Sequence, residues 1–182
     1  GYAEFNIGSR PVNQGRHALQ ELLLNNESDR DNTYGFRFYG EWEIFDGLSF
    51  KLNYGRDINE LFEREYENAI IGDAQPDGRL SEDRARREIE NFNQLLTYQK
   101  SFGDHNVDIT AGHESYDRSI SSLNGLATVQ AANGIYEFAN FSNIVDLGGA
   151  TFDKGIEGYF LRTNYNYKNK YYLSASARRD GS

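Results

Sequence analysis

The sequence has no cysteine, so neither a disulfide framework nor a thiolate metal site is available to it. It has no methionine either, not even at position 1, and is therefore expected to be part of a longer translation product. No apolar run approaches the ~20 residues of a membrane-spanning helix, and no signal peptide is visible from Gly1. Cations are in short supply: 19 Lys and Arg stand against 28 Asp and Glu, a formal charge of -9 that disfavours nucleic acid as a partner. Aromatic side chains, by contrast, are plentiful, with 13 Tyr and 12 Phe. A chain of mean hydropathy -0.75 with so many rings does not have the composition of a disordered segment.

The rings are arranged with period two. From Thr33 to Phe45 the even positions read Tyr34, Phe36, Phe38, Gly40, Trp42, Ile44, and the odd ones Gly35, Arg37, Tyr39, Glu41, Glu43. That is a strand with one apolar and one polar face. Asp46-Gly47 is a two-residue hairpin turn, after which Leu48, Phe50, Leu52, Tyr54 alternate with Ser49, Lys51, Asn53, Gly55. A second hairpin runs through Phe92, Leu96, Tyr98, Phe102, turns at Gly103-Asp104-His105-Asn106, and returns through Val107, Ile109, Ala111. In the third, Tyr159, Leu161, Thr163, Tyr165, Tyr167 lead through Lys168-Asn169-Lys170 to Tyr171, Leu173, Ala175, Ala177. Its other row is Arg162, Asn164, Asn166, then Ser174, Ser176, Arg178. The reading is all-β, about six strands in hairpins over about 33–62, 90–118 and 156–180.

Between hairpins the sequence predicts long connections, over about 63–87 (charged, with Pro76-Asp77-Gly78) and about 119–154 (rich in Asn, Ser, Gly, Ala); 1–32 reads as the end of another. Within the first, Ser81-Glu82-Asp83 could cap a short helix with Arg84/Glu88 and Arg86/Glu90 as i,i+4 pairs. Helix and non-helix compete evenly there.

Alternation alone fits a soluble sandwich as well as a membrane barrel. Three details favour an antiparallel transmembrane β-barrel. Short turns alternate with long loops; Phe45, Phe102, Tyr167, Tyr171 and Tyr172 flank the short turns, as an interfacial girdle requires; and full charges occupy mid-strand positions of the polar rows. An Arg facing lipid costs about 2–4 kcal/mol at the midplane, so a one-residue slip of the first strand would expose Arg37, Glu41 and Glu43 together. Hence Tyr34, Phe36, Phe38, Trp42, Ile44, Phe50, Leu52, Tyr54, Tyr159, Leu161, Tyr165, Tyr167, Leu173 and Ala175 are expected to face lipid. Arg37, Tyr39, Glu41, Glu43, Lys51, Asn53, Arg162, Asn164, Asn166 and Arg178 are expected to face the lumen. Arg56, Gln94, Lys100 and His113 fall on the lipid row; Lys100 near a turn can snorkel, and a bulge near His113 would shift the phase. Six strands fall short of the smallest common barrel of about eight, and open edges in hydrocarbon cost several kcal/mol per group. The rest of the same barrel must therefore be a partner of these strands.

Tyr159-Phe160-Leu161-Arg162-Thr163-Asn164-Tyr165-Asn166-Tyr167 and Lys170-Tyr171-Tyr172-Leu173-Ser174-Ala175-Ser176-Ala177-Arg178-Arg179-Asp180-Gly181-Ser182 resemble the barrel signature of the SusC/RagA family of TonB-dependent outer-membrane transporters of Bacteroidota. Phe102-Gly103-Asp104-His105-Asn106 with Gly112-His113-Glu114, and the Glu41–Leu48 hairpin, agree with it. The resemblance spans about residues 17–182; Leu161 and Thr163 depart from the family pattern, and no plug domain or TonB box is visible. It implies a parent barrel of about 22 strands in the bacterial cell outer membrane, importing glycans or oligopeptides with a SusD-like surface lipoprotein. TonB would act through parts absent from this chain. Residues 1–32 would be an extracellular loop segment and 33–182 a partial barrel with its short turns in the periplasm.

No catalytic constellation, cofactor or metal site emerges. His17, His105 and His113 lack metal-ligand spacing, and Glu60, Glu63, Glu65, Glu67 read as a solvated strand rather than a calcium site. For ligand contact the loop rings Tyr136, Phe138 and Phe141, set among Asn133, Asn140 and Asn143, are the best patch, although holding the loop together is an equal role for them. A soluble secreted all-β carbohydrate-binding module is the alternative function, and a β-barrel enzyme a third.

Overall fold

The computed structural model describes residues 18–182. Most of the opening excursion read over 1–32, with His17, lies outside the described residues. The chain then forms a short helix α1 (Ala18–Leu24) and six strands: β1 (Asn26–Phe45), β2 (Leu48–Glu67), β3 (Arg79–Phe102), β4 (His105–Gln130), β5 (Phe141–Tyr167) and β6 (Tyr171–Gly181). They form one sheet in the order β1-β2-β3-β4-β5-β6. Strands joined by turns this short can only run antiparallel; Tyr165 pairs with Leu173 and Arg162 with Ser176. Gly47 holds φ 88°, a left-handed value that a side chain resists, which is why Asp46-Gly47 can reverse the chain in two residues.

The strands run further than alternation predicts. The two connections expected to be long shrink to residues 68–78 and 131–140, a 3-10 turn (Phe138–Asn140) included. A membrane-crossing strand needs only about 9–11 residues, whereas β1 and β2 have 20 each. A strand wetted on both faces has no reason to alternate, so its sequence resembles a loop. The helix weighed for 81–92 is also absent, because β3 covers it. Its charges pair two apart along the strand instead of four: Arg84 with Glu82 at 3.1 Å and Arg86 Nε with Glu88 at 2.9 Å. Arg86 also reaches Glu60 across to β2 at 3.4 Å.

Residues 32–60, 86–121 and 151–182 make one compact unit, which carries the three short turns. One face of it bears rings. Phe36 and Tyr54 lie 6.1 Å apart, Tyr54 and Phe92 6.3 Å, and Trp42 stacks on Phe50 at 5.9 Å. No second sheet covers this face among the described residues: Trp42 is 48 % exposed and Phe38 46 %. The opposite face is polar. Neighbouring turns are tied sideways, Gln99 N–H donating to the Gly47 carbonyl at 2.7 Å and Lys100 pairing with Asp46 at 2.7 Å. That hydrogen bond from the ammonium holds the Asp46 carboxyl below the usual carboxylate range.

The other unit, 61–85 and 122–150 with the described residues up to Asp31, carries the longer connections. Its core is small: Tyr66, Leu80, Ala127 and Phe141 are buried, with Tyr136 and Phe138 packed against them.

A contiguous exposed apolar face beyond a few hundred Å² is unusual in a soluble monomer. The 182-residue chain is therefore expected to aggregate in buffer and to disperse in detergent, as followed by light scattering. A monomer with a sharp unfolding transition in plain buffer would contradict this arrangement.

Candidate functional site: the polar face and the loop aromatics

The polar face of the turn-bearing unit is built from cross-strand pairs. Arg37 forks onto Asp57, with Nη2 2.8 and 2.7 Å from the two carboxylate oxygens. Tyr39 donates its hydroxyl to Glu41, which also receives Lys51 at 3.1 Å. On the next hairpins Gln99 and Asn164 both donate to Asp108, at 2.6 and 3.3 Å, and Asn166 donates to the Asn169 side chain at 2.9 Å. Solvent screens exposed pairs of this kind; their value here is that polar side chains answer one another on the same face.

Arg178 is the most connected of them. Its Nε meets both oxygens of Asp180 at 2.9 and 3.0 Å, and Nη2 donates to Glu114 at 2.9 Å. Its guanidinium also lies 5.9 Å from the Phe160 ring centroid. Phe160 in turn fills the space that a Cβ at Gly112 would occupy, and Asp180 the space over Gly158. The residues at 112, 158, 160, 178 and 180 thus fit as a set. The family resemblance marks the Arg178–Ser182 run and Glu114 but not the partners Asp57 and Asp108. For Asp108, the even-numbered polar positions of Asn106–Glu114 carry the local signal.

On the ring face, Arg56, Lys100 and His113, which break the apolar row, all have partners. Arg56 pairs with Glu88 at 3.2 Å and Lys100 with Asp46. His113, for which the sequence offers no account, meets Glu157 at 3.0 Å and stacks on Tyr159 at 4.7 Å. No phase shift is needed to explain it. Tyr172 corrects the girdle expectation: it pairs with Asn166, on the polar row, and donates to the Asn169 carbonyl at 3.0 Å.

The loop aromatics are brought together, but around a core. Phe141 is buried against Tyr66, Leu80 and Ala127, while Tyr136 and Phe138 keep partial exposure. Tyr136 sits 4.6 Å from Tyr66, and Arg64 lies over Tyr136 at 5.7 Å. The loop backbone is pinned by buried Asn140, whose Nδ2 donates to the Ala132 and Ile135 carbonyls at 2.7 and 3.0 Å. Tyr66 O–H donates to Gln130 at 2.7 Å, and Gln130 to Asn133 at 2.5 Å. The acidic stretch remains strand, and no group of three or more metal-ligating residues gathers among the described residues.

A ribbon of hairpins with rings on one side and paired charges on the other is a stretch of β-barrel wall. Its fold matches that of the RagAB peptide transporter with a TM-score of 0.74, at 16 % identity, over 87 % of this chain and 18 % of that one. The RagAB peptide importer in its "open-open" state gives 0.73 at the same identity and coverage. No family model matches. In sequence the chain is similar to TonB-dependent receptor P3 of Formosa agariphila, 29 % identical over 160 residues. It is also similar to TonB-dependent receptor P39 of the same organism, 26 % identical over 155 residues. These alignments cover 83 % and 76 % of the chain but only 15 % and 14 % of the relatives. In sequence, then, the chain is similar to TonB-dependent receptors, and in fold it matches a stretch of the RagAB structures.

Truncating a buried Phe costs about 3–5 kcal/mol where the cavity stays open. Phe141→Ala in the full-length protein is expected to loosen the 131–140 connection and speed its cleavage by an added protease. Tyr172→Ala, which removes an exposed ring, should leave the cleavage rate of that connection unchanged.

Proposed function

We propose that these strands cross the outer membrane as part of the wall of a TonB-dependent transporter that imports large nutrients, glycans or oligopeptides, without enzymatic activity of its own. The observation that carries this is the division of faces in the turn-bearing unit: Phe36, Tyr54 and Phe92 meet on one side while Arg37 and Asp57 pair on the other. In this reading the ring face touches lipid, since rings cost nothing there and charges cost several kcal/mol. The paired face lines an aqueous lumen. Closure requires further strands of the same protein, because β1 and β6 leave edges that hydrocarbon cannot satisfy.

A SusD-like surface lipoprotein is the expected partner, and TonB would supply energy through segments outside this chain. The RagAB structures, described as a peptide transporter and importer, favour oligopeptides among the cargoes. Of the loop rings only Tyr136 and Phe138 are left for ligand contact, as Phe141 serves the core.

Two experiments test the reading. Full-length protein extracted from native outer membrane should copurify with a lipoprotein at one-to-one stoichiometry and run faster on a detergent gel before boiling than after; failure of both overturns the reading. In lipid vesicles, Trp42→Arg should lower the unfolding free energy by about 2–4 kcal/mol. Glu43→Ala, on the other face, should stay within about 0.5 kcal/mol. Equal effects of the two variants would mean that the faces do not differ in environment.

A further inference from the structure

The three short turns differ in charge. Asp46 and Asp104 are acids in the first two, each paired with a lysine of the next hairpin, Lys100 at 2.7 Å and Lys168 at 3.5 Å. The third turn carries Lys168 and Lys170 around Asn169 and no acid. Lys170 has no acidic partner at ion-pair distance among the described residues. Instead both lysines rest against rings: Lys168 Nζ lies 5.4 Å from the Tyr167 centroid and Lys170 Nζ 5.6 Å from that of Tyr171. Those two rings stack at 6.5 Å, and His105 sits 4.8 Å from Tyr167 and 5.6 Å from Phe102. His105 Nδ1 is also 2.6 Å from the Tyr165 hydroxyl. The result is a patch of rings ending in two ammonium groups, one of them without a counter-charge among the described residues.

We propose that this third turn binds the phosphate headgroup of an anionic glycerophospholipid, with Lys168 and Lys170 on the phosphate and the rings of Tyr167, Tyr171 and His105 against the glycerol and upper acyl region. The inference rests on the membrane-wall reading above. Rings with a polar edge settle at headgroup depth, and a lysine close to an anionic surface strengthens binding about fivefold. Lys168 shares its charge with Asp104, so Lys170 should contribute more. The first two turns, with their acids, would not select such a lipid.

The test uses the full-length protein in nanodiscs of phosphatidylcholine, titrated with phosphatidylglycerol and read as lipid adducts by native mass spectrometry. Phosphatidylglycerol should bind more tightly than added short-chain phosphatidylcholine, and inorganic phosphate should not displace it. Lys170→Gln should weaken it about fivefold and Lys168→Gln by less, while Lys100→Gln, in the acid-paired latch, should not remove the preference. Protein that fails to insert in the bilayer overturns both this inference and the wall reading. Protein that inserts but shows no preference, loses none in Lys170→Gln, or releases the lipid to free phosphate overturns the inference alone.

Discussion

The whole arrangement depends on the pleat of a β-strand, which sends successive side chains to opposite faces and so binds every residue of a strand to one choice of register. In β1 that choice carries Phe36, Phe38 and Trp42 one way and Arg37, Glu41 and Glu43 the other. No local adjustment can move one of them alone. The tight turns then propagate the choice: Gly47 reverses the chain in the fewest residues, and the Gln99–Gly47 hydrogen bond fixes how the next hairpin sits beside the first. One phase, set once, decides the surface chemistry of the turn-bearing unit.

Given that phase, the polar face meets a different problem. Side chains on neighbouring strands stand about 5 Å apart, so like charges there would repel. The sequence answers with alternated partners: Arg37 with Asp57, Lys51 with Glu41, Arg178 with Glu114 and Asp180. Asp108 is satisfied by two amides and needs no cation. Where a large side chain must lie flat on this face, a glycine makes the space, as Gly112 does for Phe160. The same logic extends to the ring face, where Arg56 and Lys100 pair with Glu88 and Asp46 and His113 meets Glu157.

How far the sequence can be read is set by these same forces. Alternation is sharp where one side is apolar, and there the strands, the turns and the two faces are all legible from the residues alone. It fades where both sides are wet, and residues 81–92 then look as much like a charged helix as a strand. Choosing between them needs Glu60, Glu67 and Arg56 on the neighbouring strand, which are distant partners that local periodicity does not contain. The loop rings stand out in the sequence, because aromatics among asparagines are conspicuous, but their burial does not. Tyr66, Leu80 and Ala127 lie at the ends of β2, β3 and β4 away from the short turns, outside the apolar rows of those strands, so nothing local marks them as the floor beneath Phe141.

That floor changes what the 131–140 connection can do. A loop of this composition left free would have to be ordered at the moment of binding, at about 0.5–1.5 kcal/mol for each rotamer-rich side chain immobilised. Here Asn140 has already satisfied two loop carbonyls and the Ala132 N–H, and Phe141 anchors the loop's end in the core. Arg64 over Tyr136, with its Nη1 3.4 Å from the Tyr136 carbonyl, fixes that ring from the strand side. The partly exposed faces of Tyr136 and Phe138 are thereby held in place. The residues that give the loop its shape, Asn140 and Phe141, are buried, while Tyr136 and Phe138 keep partly exposed faces, and the division between buried and exposed runs between near neighbours in the sequence.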